Sequence, residues 1–324
     1  MHHDQHYRHY RSPAAMPPPP NPSPSIRRSD LLPLTDLRPD GRRPSEIRRV
    51  RCRVSSHAPS AADGTAGSST FEWGLTTVQC VVRGPRACRN RSEENPSAGV
   101  VEAWVDLPAY SSLSGAGTAG VGCTAGHNPG AADRRAAEYA RQVQAAAEGS
   151  LILELYPRSA IEIVCTVLSD GGGTGAACVN AASLALIDAG VAMKDVVCAC
   201  TAGWGGGPAS TDLKLVDDDM EDEEGLSEEV LVDLNAAEEA PHGPESVPAR
   251  TYACILPRKG TVLACNTEGG GGQAGRVSLE TYAAVLDGAV RGCHEVYGVM
   301  AAAVRDGAAT EVAARGGNAR ILLA

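Results

Sequence analysis

The sequence has very few aromatic side chains and no long run of apolar residues. Only one Phe occurs among 324 residues, and Phe, Trp and Tyr together make up 4% of the chain. A hydrophobic fraction of 43% still supports a core, which must consist mainly of Ala, Val, Leu and Ile. No apolar run approaches the roughly 20 residues that span a bilayer, and no secretory signal is visible. We therefore expect helices packed closely on sheets, and no membrane partner.

Metal-ligand spacing is also missing, although eleven cysteines are present. No C-x-x-C occurs, and the closest pair is Cys198 and Cys200. In a strand, two residues at this spacing point to the same face, as core thiols would. An odd number of cysteines without metal spacing predicts free, buried thiols in a reducing compartment, and no metal site.

Basic side chains are absent from residues 215–248, which contain thirteen acidic ones. The whole chain has a net charge of −10, so the rest of it carries a net charge of +3. A mildly basic body with an acidic appendage is compatible with RNA contact. Charge of one sign without aromatic residues predicts that residues 215–248 are a disordered insertion.

The rest of the chain divides into a tail and two folded parts. Residues 1–28 are rich in Pro, His and Arg, and we expect them to be disordered. Residues 29–214 and 249–316 form the first and second parts of the folded region. Strand patterns come first in each part, helical patterns follow, and the connections are short. This order predicts an α+β fold with mixed sheets rather than a doubly wound parallel sheet.

A glycine-rich turn, residues 169–175, lies between a buried strand pattern and a helical pattern. The first N–H groups of a helix have no partner inside it, and the helix dipole favours an anion there. No Lys or Arg lies between Leu168 and Ile187, so the cation that would complete a phosphate cradle is missing. The turn is equally explained as a tight strand-to-helix connection, and both interpretations stay open at this point.

Four segments in a fixed order resemble the RNase PH family, and within it the ring subunits of the eukaryotic RNA exosome. The segments are residues 38–48, with the pattern R-x-D-G-R-R-x-x-E-x-R, then 62–66, then 133–138 with D-R-R-x-x-E, and 155–203. The resemblance extends over residues 30–305 apart from the acidic insertion. It implies a duplicated β-rich α+β domain and assembly into six-membered rings.

The resemblance also implies a reaction and a site. Active members of the family cleave RNA from its 3′ end with inorganic phosphate as the attacking group. A Thr-Arg pair at a helix start holds the phosphate, and an arginine of the preceding helix contacts phosphate or RNA. Two carboxylates six residues apart assist the transfer, one of them as a general acid or through a metal.

The phosphate site of this pattern is incomplete in the sequence. Gly173, Thr174 and Gly175 would form it, but Gly175 stands where the family has its arginine. A second arginine of the preceding helix is replaced by Gln144, and residues 114–126 lack the basic side chains of the family loop. Loss of a guanidinium removes a bidentate, charge-assisted contact to phosphate.

Other site residues match the pattern. Arg135 matches the helix arginine of the family, and Arg134 and Arg135 are the predicted RNA-binding residues. Asp212 and Asp218 have the spacing of the catalytic carboxylates, although an acid-rich run also produces this spacing by chance. They would be vestigial if phosphate is not held.

These substitutions favour a non-catalytic ring subunit of the RNA exosome. Such a subunit would support 3′-to-5′ processing and decay of rRNA and other RNA by forming an RNA channel. We expect other RNase PH-like exosome subunits, cap proteins and RNA as partners, in the nucleus, nucleolus and cytoplasm. The alternative is an active phosphate-dependent 3′-to-5′ exoribonuclease that uses Asp212 and Asp218. Neither function requires a resident cofactor; the alternative requires inorganic phosphate and, if a metal assists, Mg²⁺.

Overall fold

The computed structural model describes residues 38, 40–55, 64–88, 94–108, 111, 129–205, 230–240, 247–269 and 279–314. The chain divides into two units, residues 1–42 and 43–324. In the first unit, Arg42 Nε donates to Asp40 Oδ2 at 2.7 Å within a turn. The predicted tail, residues 1–28, lies outside the described residues. All elements named below belong to the second unit.

The first sheet has five strands in the order β1-β2-β3-β5-β4. The strands are β1 (Val50–Val54), β2 (Thr65–Trp73), β3 (Thr76–Ala87), β4 (Val100–Asp106) and β5 (Ser159–Ser169). All neighbouring pairs are antiparallel except β4 and β5, which are parallel. The sheet is therefore mixed, as the sequence predicted.

The second sheet has four antiparallel strands in the order β7-β6-β8-β9. The strands are β6 (Cys198–Trp204), β7 (Val230–Val232), β8 (Ala249–Leu256) and β9 (Thr261–Gly269). The helices are α1 (Pro129–Ser150), α2 (Thr174–Asp188), α3 (Ala236–Glu239) and α4 (Leu279–Ala314). The predicted α+β architecture is confirmed.

Helix α2 is the centre of the core, because it packs against β2 and β3 of the first sheet and β6 of the second. Every residue from Thr174 to Leu186 is buried, as expected for a helix that is apolar on all sides. Its one amide, Asn180, exchanges two hydrogen bonds with the backbone of Ala199 on β6, at 2.8 and 3.0 Å. The buried amide is thereby satisfied and fixes the helix against the strand.

The structure corrects the predicted disordered insertion over residues 230–240. This part of the acidic stretch forms β7 and α3, and it is ordered for two physical reasons. Val232 and Leu234 are buried in the core, so this part supplies the apolar area that a charge count overlooks. Asn235 and Glu238 form a capping box at the start of α3, which satisfies helix-start N–H groups. Residues 215–229 and 241–246 lie outside the described residues.

The cysteines of the described residues are all free, and most of them are buried in the core. This confirms the prediction of buried thiols for Cys165, Cys178, Cys198, Cys200 and Cys254. Among the helices that the structure describes, none is long and apolar enough to cross a membrane.

Candidate functional site

Arg48 anchors the glycine-rich turn from the inside of the protein. Its Nη1 donates to Gly171 O at 2.8 Å and its Nη2 to Gly172 O at 3.1 Å. The same guanidinium pairs with the fully buried carboxylate of Asp233 at 2.6 Å and lies 5.5 Å from the ring centre of Trp73. Burial alone would lower the pKa of Arg48, but Asp233 raises it above the ordinary value. The cation therefore stays charged and fully paired.

Two further elements hold the same turn. Thr76 Oγ1 accepts the N–H of Gly171 at 3.1 Å and donates to Gly172 O at 2.7 Å. The N–H of Ala236, at the start of α3, donates to Gly171 O at 3.0 Å. Gly172 has a φ of +96°, and a Cβ there would lie 2.4 Å from the backbone nitrogen of Ala236. Only glycine fits this close approach, so the turn has a fixed place and direction.

The start of α2 holds two carboxylates that belong to the chain itself. The N–H of Gly173 donates to Glu239 Oε2 at 3.0 Å. Asp170 accepts the hydroxyl of Thr174 and, at 3.2 Å, the N–H of Gly172. Two donors that could face an anion at this helix start, the Gly173 N–H and the Thr174 hydroxyl, are thus engaged within the protein.

An open cavity of about 440 Å³ lies in front of this helix start. Its walls come from α1, the glycine-rich turn, α3 and the strands β8 and β9. The charged residues in its lining are Arg135, Glu138, Asp170, Glu239, Arg250 and Glu268. Four carboxylates therefore face two guanidinium groups, which gives the lining a formal charge of −2.

Arg250, one of the two cations, is bound within the wall of the cavity. Its Nε donates to Glu268 Oε2 at 2.8 Å, and its Nη1 donates to the carbonyl oxygen of Glu239. Its charge is balanced by Glu268 before any ligand arrives. Arg135 on α1 is exposed at the cavity.

Burial, together with neighbouring carboxylates, raises the pKa values of two groups at the cavity. Burial raises the pKa of Glu239 to about 7, and the charge of Asp170 adds to this, against the opposing effects of the Gly173 N–H and of Arg250 and Arg48. Burial also raises the pKa of Tyr139, and the charges of Glu239 and Asp170 raise it further. Both shifts have the sign expected where negative charge is concentrated in a desolvated site.

Gly175 lies where the family pattern places an arginine, and a side chain there would require the Gln142 side chain to move. A Cβ at this position would lie 2.4 Å from Gln142 Oε1 and 3.0 Å from the Tyr139 ring. Gln142 Oε1 is buried and has no hydrogen-bond partner among the described residues. The neighbouring helix α1 thus fills the space of the missing guanidinium.

The structure brings most of the predicted site residues together. Gly173, Thr174, Gly175 and Arg135 all line the cavity. Arg134 is exposed on α1 and is not among the lining residues. Asp212 and Asp218 lie outside the described residues, so their role stays a prediction.

Sequence reasoning assigned no site role to five charged residues of the cavity, namely Glu138, Asp170, Glu239, Arg250 and Glu268. The signal for Glu239 was the capping box of Asn235 and Glu238, which marks a helix start inside an acidic run. Glu239 and Glu245 also have the six-residue spacing of the family carboxylates. Within the part of the chain that the structure describes, no group of three or more His, Cys, Asp or Glu side chains could hold a metal ion.

Comparison with known proteins identifies the class to which this fold and cavity belong. Residues 46–192 match the model of the 3′ exoribonuclease family, domain 1, also called RNase PH. The rice protein Rrp46 has the same fold, with a TM-score of 0.56 at 20% identity over 81% of this chain and 98% of that chain.

Relatives in animals, fungi and archaea extend the match over most of the chain. The exosome complex component RRP41 of Bos taurus is 33% identical over 277 residues, which are 85% of this chain and 94% of the relative. Exosome complex component ski6 of Schizosaccharomyces pombe is 30% identical over 86% of this chain and 95% of its own length. Exosome complex component Rrp41 of Thermococcus gammatolerans is 28% identical over 82% and 88%, respectively. The chain belongs to the RNase PH family, which confirms the resemblance read from the sequence.

Proposed function

We propose that this chain is a non-catalytic RNase PH-type ring subunit of an RNA exosome. It supports 3′-to-5′ processing and decay of RNA by forming part of an RNA channel with other RNase PH-like subunits and cap proteins. The similarity to exosome components along most of the chain supports this assignment. Nucleus, nucleolus and cytoplasm are the corresponding compartments.

The observation that carries the non-catalytic assignment is the occupied helix start. The Glu239 carboxylate accepts a hydrogen bond from the Gly173 N–H, and the Asp170 carboxylate accepts one from the Thr174 hydroxyl. An incoming phosphate would have to displace these groups and enter a cavity lined by four carboxylates. The negative phosphate and these carboxylates would repel each other, and the repulsion grows as water is excluded from the cavity.

Cations do not compensate for this repulsion. The position that would carry the phosphate-binding guanidinium is Gly175, and Arg250 is already paired with Glu268. Loss of one positioned donor at a reacting oxyanion costs on the order of 3 kcal/mol, or more than about a hundredfold in rate. Arg135 is one cation, and it does not offset both the missing guanidinium and the negative charge of the lining.

Glu239 is the better candidate for a vestigial catalytic carboxylate. It lines the cavity, and with Glu245 it repeats the six-residue spacing that Asp212 and Asp218 also show. A general acid is without effect when the attacking phosphate is not held in line. We therefore assign Glu239 a structural role as the internal anion of the helix start.

The test is an RNA-shortening assay with the full chain and the subunits that co-purify with it. Product release as nucleoside diphosphates is measured with and without inorganic phosphate. We expect no phosphate-dependent shortening that depends on this subunit. Robust phosphate-dependent shortening that disappears in Asp212→Asn would instead establish the active exoribonuclease with Asp212 in the site. Disappearance only in Glu239→Gln would also establish an active enzyme, with Glu239 as its carboxylate.

A further inference from the structure

The strand β1 carries a row of arginines on its outer face. Arg48 points inward to Asp233, and Val50, Cys52 and Val54 then pack against the core. The intervening residues Arg49, Arg51 and Arg53 are exposed. Residues two apart in an extended chain point to the same side, at intervals of about 7 Å. Three guanidinium groups therefore stand in line on one face, which we call the β1 arginine row.

The surroundings of the β1 arginine row are polar and weakly acidic. β1 is an edge strand of the first sheet, with Glu72 opposite Arg51 and Thr70 opposite Arg53. Glu72 Oε2 lies 3.9 Å from Arg51 Nη1, and these side chains are 35% and 59% exposed. An exposed pair at this distance contributes little, so the row keeps a net positive charge.

We propose that the β1 arginine row is a binding surface for the phosphate backbone of single-stranded RNA. Evenly spaced guanidinium groups on an extended strand match a ligand whose charges also repeat at a regular interval. Guanidinium binds phosphate through paired hydrogen bonds.

The composition of this face favours RNA over a protein partner. Protein interfaces concentrate their binding energy in buried aromatic and apolar side chains. The residues directly across β2 and β3 from Arg51 and Arg53 are Glu72, Thr70, Thr77 and Gln79, all of them polar. None of the residues that line the cavity at α2 belongs to β1, so this surface is distinct from the candidate site. The proposal rests on the proposed function only in taking RNA as the ligand.

The test compares two triple variants that remove the same charge. Arg49→Gln, Arg51→Gln and Arg53→Gln together remove the row, whereas Arg141→Gln, Arg291→Gln and Arg305→Gln remove three exposed arginines of α1 and α4. Binding of fluorescent oligouridine RNA to the full chain is measured by anisotropy at several salt concentrations. Each lost phosphate contact reduces the slope of log affinity against log salt by about 0.7.

We expect the row variant to lower the magnitude of the slope by about 2 and the affinity at low salt by at least about tenfold. The control variant should leave both close to wild type, and both variants should unfold at the wild-type temperature. Equal losses in the two triple variants, or no loss in either, would overturn the proposal. So would displacement of the RNA by polyglutamate as effectively as by unlabelled RNA.

A single substitution is expected to increase the affinity for RNA, a result that misfolding would not produce. Glu72→Gln removes the carboxylate opposite Arg51 and should strengthen RNA binding by about two- to fivefold, because Glu72 then no longer competes with RNA phosphate for Arg51. Weaker or unchanged binding would contradict the proposal. Phosphate-dependent shortening is read in a separate assay, so failure here and failure of the proposed function are distinguishable.

Discussion

The two sides of the glycine-rich turn at residues 169–175 are built from opposite electrostatic arrangements. On the inner side, one buried cation, Arg48, is matched by one buried carboxylate, Asp233, and by two turn carbonyls. On the outer side, carboxylates outnumber cations, and Glu239 occupies a helix-start N–H. The groups that hold the turn in place are thus separate from the groups that would hold a ligand. The proposed loss of phosphate chemistry would therefore leave the inner support of the turn intact.

The largest expected effect is on the inner side. Arg48→Ala leaves Asp233 buried without a cation, which should lower the free energy of unfolding by about 3 to 5 kcal/mol. Arg49→Ala, at the exposed neighbouring position, should change it by no more than about 0.5 kcal/mol. Urea unfolding of both variants measures the difference. Similar values for the two would show that the inner pair does not hold the turn.

On the outer side, the titration of Glu239 should make the free energy of unfolding depend on pH. The folded-state pKa of Glu239 is about 7, above an unfolded value of about 4.3, so the native state binds the proton more tightly. The stability contributed by the protonated form is complete below about pH 4 and is lost as the pH rises towards 7. Its upper limit is about 4 kcal/mol, and solvent screening of this half-buried group makes the effect smaller.

Glu239→Gln removes the titrating group and keeps an oxygen that accepts the Gly173 N–H. The variant should therefore lack this part of the pH dependence and be more stable than wild type at pH 8. Glu295→Gln, at an exposed position of α4, is the control and should follow the wild-type pH profile. A Glu239→Gln profile parallel to wild type would exclude Glu239 as the titrating group.

A smaller effect concerns the space at Gly175. Gly-to-Ala in a helix interior stabilises by up to about 1 kcal/mol, but a Cβ here lies 2.4 Å from Gln142 Oε1. Gly175→Ala should therefore gain little in the wild type and gain about 0.5 to 1 kcal/mol more in a Gln142→Ala background. Thermal unfolding in a double-mutant cycle measures this coupling. If the stability changes of the two substitutions were additive, Gln142 would not restrict the space at Gly175.

The sequence allowed the fold to be predicted because local patterns and ordered motifs agreed. The order of strand and helix patterns along the chain, the helix after the glycine-rich turn and the free thiols all followed from apolar patterns and spacing. The end of the acidic stretch was misjudged, because Val232 and Leu234 reach the core only through pairing with β6. Glu239 escaped notice for a related reason. Its contact with Gly173 joins residues 66 positions apart, and no local pattern contains that information.

The most direct test of the occupied helix start is to follow the amide resonances of Gly173 and Gly175 during addition of inorganic phosphate. The full chain, labelled with ¹⁵N-glycine and bound to its co-purifying subunits, is titrated at pH 8, where Glu239 is ionised. We predict that neither resonance shifts in wild type, because Glu239 holds the Gly173 N–H and the cavity lining is negative. A saturable shift of both resonances in wild type, lost in Thr174→Val, would show that the site binds phosphate and would contradict the account.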